Sequence, residues 1–129
     1  MKQFIDLKLV NVIVENDLIT LLWKDVVSQF KDYKKDYTKC FHIARDNNIK
    51  KVISDASKHK MLTQEHQEFQ DTFILGKAVE IGMTHIAIVL PETLYGRFCI
   101  EVTKEAMPTN IKMGVYKLLG EAIDFVNET

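Results

Sequence analysis

At 129 residues, with 47% hydrophobic and 27% charged side chains, the chain is long enough to bury one core and too apolar for disorder. A formal charge of -1 lacks the basic excess carried by domains that neutralise phosphates, so nucleic acid is not expected as a partner. No apolar run approaches the roughly 20 residues needed to cross a bilayer, and membrane insertion is not expected either.

The opening Met1–Asp6 turns acidic too early for a secretory signal, which makes a cytoplasmic protein the expectation. Leu9–Val14 is a β-branched run with Val10, Val12 and Val14 on one face. Glu15-Asn16-Asp17 is a turn, and Leu18–Trp23 a second strand, giving an antiparallel hairpin with a loop of about three residues. Ser28 can cap a helix to about Asn47. Its stripe is Phe30, Tyr33, Tyr37, Phe41 and Ala44, while Lys31, Asp32, Lys34, Lys35 and Asp36 form the solvated face. Asn47-Asn48 ends it, since asparagine accepts left-handed backbone.

Lys51–Ser54 is a short strand, followed by a polar loop. Thr63 is a natural N-cap for a helix to about Glu80, with Glu65 in its first turn, Phe69, Phe73 and Ala78 or Val79 inward, and Gly82 as the stop. His85–Leu90 is apolar at consecutive positions, as in a strand covered on both faces. Pro91 ends it, and a third helix runs from Glu92 through Leu94, Phe98, Val102 and Ala106 to Pro108. Ile111–Tyr116 alternates like an edge strand, and a last helix over about Gly120–Asn127 buries Leu119, Ala122, Ile123 and Val126. The order β-β-α-β-α-β-α-β-α describes one α/β domain over residues 1–129. Its sheet is mixed and mostly parallel, with right-handed crossovers.

That order resembles STAS domains, the family of the sporulation anti-anti-sigma factors and of sulfate-transporter tails. It is most similar to the small stand-alone bacterial members. The phrases that carry the resemblance are Leu21-Leu22-Trp23-Lys24, Val52-Ile53-Ser54-Asp55, Leu62-Thr63-Gln64-Glu65, and Ile86–Pro91 followed by a helix containing Tyr95-Gly96. In regulatory members, a strand ending Asp-hydrophobic-Ser leads to Asp-Ser-Ser-Gly at a helix start, where a kinase phosphorylates a serine. Asp55-Ala56-Ser57 fits the first phrase. Thr63 stands near the phosphoacceptor position of the second, without the acid before it or the glycine after it.

The candidate partner-binding or phosphoacceptor residues are therefore Asp55, Ser57, Lys58, His59, Lys60 and Thr63. Each also has an ordinary role: Thr63 as an N-cap, Ser57 as an exposed hydroxyl, Asp55 as an acceptor for loop amides, and Lys58-His59-Lys60 as a solvated basic loop. His59 and His66 lie seven residues apart with no further ligand, so no metal is expected. No glycine-rich phosphate loop is present, and no cofactor is expected. Cys40 and Cys99 read as buried free thiols.

Without a catalytic constellation, the chain reads as a non-enzymatic regulatory module. It would dock a protein partner through the loop Asp55–Met61 and the next helix start, and a homodimer is compatible with this reading. The alternative is a carrier of a small apolar ligand or lipid, held beneath Phe30, Tyr33, Tyr37 and Phe41. An enzyme built on Asp55, His59 and His66 is the third candidate.

Overall fold

The computed structural model describes residues 2–26, 29–58, 63–69, 72–73, 75–90 and 111–127. Among these, six strands form one mixed sheet accompanied by four helices. The strands are β1 (Lys2–Asp6), β2 (Val10–Glu15), β3 (Leu18–Trp23), β4 (Lys51–Asp55), β5 (His85–Val89) and β6 (Lys112–Tyr116). The helices are α1 (Phe30–Asp46), α2 (Gln64–Phe69), α3 (Leu75–Glu80) and α4 (Leu119–Val126). Strand order in the sheet follows chain order. β1, β2 and β3 pair antiparallel, and β3 through β6 pair parallel.

The α/β alternation and the antiparallel hairpin are therefore present, with three differences from the sequence expectation. First, Lys2–Asp6 is a further strand, paired with β2 from Lys2 opposite Glu15 to Asp6 opposite Asn11. Second, Glu15 pairs directly with Leu18, so the hairpin loop is the two residues Asn16-Asp17, with Asn16 at φ 57°. Third, the span expected as one helix from Thr63 to Glu80 is described as α2 and α3, with Thr72 and Phe73 between them in a wider π-helical turn. The Thr72 hydroxyl donates to the Glu68 carbonyl four residues back at 2.8 Å. The third helix expected over Glu92–Pro108 lies outside the described residues, as do Cys99 and the Ser28 cap. Gln29 occupies the N-cap of α1 with no side-chain cap bond.

Strand alternation divides the sheet into two faces. One presents Val10, Val12, Val14, Ile19, Leu21, Trp23, Val52, Ile86 and Ile88 to Tyr33, Cys40, Phe41 and Ala44 of α1, with Phe69 and Ala78 in the same core. The other packs Ile53, Ala87 and Val89 against Ala122 and Val126 of α4. Each Val, Leu, Ile or Phe among them contributes about 1.5–3 kcal/mol on withdrawal from water, before entropy is counted. Ala78, not Val79, faces inward, and Ile123 is largely exposed. In α4 the inward aromatic is Phe125, whose ring meets His85 at 5.7 Å and Tyr116 at 5.6 Å. On the same face, Gly114 leaves room for the far end of the Tyr116 ring, which a Cβ there would meet at 2.5 Å.

Helix ends follow the residues predicted to make them. Asn48 has φ 54° and Gly82 φ 75°, both in the left-handed region that ends helices. Asp36 corrects the solvated face expected of α1. It is 3% exposed, and its carboxylate accepts the Leu9 backbone N–H at 2.7 Å, tying α1 to the turn between β1 and β2.

Candidate functional site

β4 ends in the middle of the parallel strands, where its side chains part to opposite faces. Ser54 goes to the α1 side and is buried. Its hydroxyl accepts the Trp23 indole N–H at 3.0 Å and is hydrogen-bonded to the Tyr37 phenol. Burial pushes the Tyr37 phenol up to about 12, the Ser54 bond opposing the shift. The buried Cys40 thiol is likewise pushed up to about 12 by burial, with the Asp36 carboxylate adding to it. Such a thiol is protonated at neutral pH and inert as a nucleophile.

Asp55 turns the other way. Its Oδ1 accepts both the Ser57 backbone N–H at 3.1 Å and the Ser57 hydroxyl at 2.7 Å. This is an Asx turn that shapes the start of the loop, and it already engages both candidate side chains. Ala56 N–H continues to the Val89 carbonyl at 3.2 Å, so the turn is fastened to β5. Lys58 is exposed. His59 and Lys60 lie outside the described residues.

Thr63 is the N-cap of α2. Its Oγ1 accepts the His66 backbone N–H at 3.3 Å and lies 2.5 Å from His66 Nδ1. The hydroxyl and Nδ1 share one hydrogen bond, whose donor is set by the ring's tautomer. His66 is 1% exposed. Its ring lies 4.4 Å from Tyr33 and 5.7 Å from Phe30, and burial holds its pKa below the ordinary 6.5.

The sequence offers His66 only as half of a metal pair with His59 or as one residue of an enzyme built on Asp55, His59 and His66. Its spacing of three residues from an N-cap threonine was the available signal, since N3 is where a side chain can reach back to the cap. Among the described residues, no group of three His, Cys, Asp or Glu side chains is arranged to hold a metal ion.

An open groove runs along this junction, lined by Gln29 and Phe30 at the start of α1 and by Thr63, Gln64, Glu65, His66 and Glu68. Its charged lining is acidic. Two groupings of the candidate residues result: Asp55 bonds Ser57 at the end of β4, and Thr63 bonds His66 at the start of α2. The aromatic residues considered for a lipid pocket pack largely on one another. Tyr33 and Tyr37 lie 5.5 and 4.8 Å from Trp23 and 5.1 Å from each other, Tyr37 stacks on Phe41 at 6.0 Å, and Phe30 meets Phe69 edge-on at 5.9 Å.

No helix among the described residues is long and apolar enough to cross a membrane. Comparison of the chain with protein-family models, with curated proteins and with solved structures found no match.

Proposed function

We propose that this chain is a single-domain regulatory module of STAS-like type that docks a protein partner through the loop after β4 and the start of α2. The observation that carries the reading is the Thr63–His66 pair. An exposed residue at the mouth of a groove is coupled through its hydroxyl to a side chain buried in the core. The resemblance of Val52-Ile53-Ser54-Asp55 and Leu62-Thr63-Gln64-Glu65 to the phrases of regulatory STAS domains supports the same surface.

Phosphoryl transfer from a nucleoside triphosphate to Thr63 would form an ester at Oγ1, break the donor's terminal P–O bond and release the hydroxyl proton, so the hydroxyl–Nδ1 hydrogen bond as it stands would be lost. The added charge would stand beside Glu65 and Glu68, which repel it, and the junction between α1 and α2 would loosen. Modification would thus change the shape of the docking surface while leaving the sheet alone.

Native mass spectrometry of the protein isolated from its own cells tests this reading. A stoichiometric partner polypeptide is expected, with its affinity lowered by Thr63→Glu and altered by charge reversal at Lys58 and Lys60. A partner bound equally well by all these variants would remove the surface from consideration. A copurifying small molecule in place of a polypeptide would favour the carrier instead.

A further inference from the structure

We propose that β1 is a homodimerisation edge, pairing antiparallel with β1 of a second copy about a two-fold axis at Phe4. β1 ends the strand order, so among the described residues its outer side pairs with no strand. Phe4 is 69% exposed, the most exposed of the large apolar side chains described.

The backbone is set correctly for this pairing. Leu7 N–H donates to the Val10 carbonyl at 2.9 Å, which makes Leu7 and Val10 a hydrogen-bonded pair of the β1–β2 ladder. Alternation then gives Ile5 and Gln3 the inward bonds, and directs the N–H and C=O groups of Lys2, Phe4 and Asp6 to the open side. A two-fold at Phe4 places Phe4 opposite Phe4, Lys2 opposite the copy's Asp6, and Asp6 opposite the copy's Lys2. All these pairs are of the hydrogen-bonded kind, with about six new backbone bonds.

The charges decide between this and the opposite role of edge charges, which is to keep strands apart. Lys2 already lies 3.6 Å from Glu15 on its own sheet, and Asp6 2.8 Å from Lys24. In the symmetric register they line up as Glu15, Lys2, the copy's Asp6 and the copy's Lys24, alternating in sign, and the row occurs twice. Sliding the register by two residues sets a charge against Phe4 and leaves another without its opposite. The strand is therefore self-complementary in a single register, and a second copy is the partner it fits. The surface is small, so a reversible dimer with a dissociation constant in the micromolar to millimolar range is expected. It is separate from the proposed docking loop, and the two proposals fail independently.

Analytical ultracentrifugation of the full chain across that concentration range tests it. The wild type should move from chain mass to twice chain mass. Lys2→Asp and Asp6→Lys each oppose like charges at both ends and should each weaken the dimer at least about tenfold. An equimolar mixture of the two restores opposite charges at every pair, and should form a heterodimer that neither makes alone. Phe4→Pro removes an outward N–H without touching the β1–β2 bonds, and should abolish association with the melting profile retained. A wild type that stays monomeric throughout, a dimer undiminished by Phe4→Pro, or a mixture that restores nothing would each overturn the proposal.

Discussion

Replacing His66 with phenylalanine keeps a ring of similar size against Tyr33 and Phe30 and removes the only group in that contact that titrates near neutrality. In the folded chain, burial lowers the His66 pKa below 6.5, whereas the unfolded chain titrates at the ordinary value. Above 6.5 the ring is neutral in both states and costs nothing. As pH falls below 6.5, the unfolded chain takes up the proton first, and stability falls until the folded value is reached. For one proton the steepest slope is about 1.4 kcal/mol per pH unit. With 129 residues, an unfolding entropy of about 0.27 kcal/mol/K follows, and the slope becomes a drop in Tm of about 5 °C per pH unit. The variant also removes the Thr63 hydroxyl's hydrogen bond to the ring, a loss of about 1 kcal/mol wherever the ring is neutral. Thermal melts of both proteins between pH 8 and pH 5 separate the two effects, because groups common to both cancel in the difference. The wild type should lead at pH 8 and lose its lead below 6.5. A difference that stays flat with pH would mean that His66 accepts its proton without leaving the core, and that its coupling to Thr63 is not what the geometry implies.

Asp36→Ala leaves the Leu9 N–H without a partner under α1, and should cost about 2–3 kcal/mol in urea denaturation, against about 1 kcal/mol for Asp36→Asn, which keeps an acceptor oxygen. Equal losses would show that the carboxylate itself, not the hydrogen bond, is what matters. Cys40 should resist a thiol reagent at pH 8 in a Cys99→Ser background until the chain unfolds, since its thiol is buried and raised to about 12; rapid labelling of the folded chain would contradict that burial.

The parallel half of the sheet was legible because its signals are redundant. Ile86–Leu90 is apolar at every position, as a strand covered on both faces must be, and the ends of α1 and α3 carried an Asn and a Gly that the backbone then uses at positive φ. β1 was not legible, because Lys2–Asp6 sets Phe4 and Ile5 side by side and shows no alternation. Only Ile5 packs on the core, and the strand is held by β2 and by surface ion pairs. Asp36 was placed in solvent with its charged neighbours, since a helical repeat cannot show that an amide of another segment, Leu9 N–H, would arrive beside it. The same limit hid His66 and Ser54. Each is a polar residue whose burial depends on a partner remote in sequence, Tyr33 for one and Trp23 for the other. Thr63 was readable as a cap because capping is local.

If both proposals hold, dimerisation through β1 has a consequence for docking. β1 and β4 are separated in the sheet by β2 and β3, so pairing two copies at β1 leaves the end of β4 and the Thr63–His66 junction uncovered in each. The dimer would then present two equivalent docking surfaces. A partner held densely on a surface would engage both at once, with an apparent affinity above that of a single contact, whereas the same partner free in solution would not. Phe4→Pro should therefore speed dissociation from the immobilised partner at concentrations where the wild type is dimeric, and leave solution affinity per chain unchanged. Thr63→Glu should weaken both measurements equally. A Phe4→Pro variant that loses solution affinity as well would place β1 within the docking surface rather than apart from it.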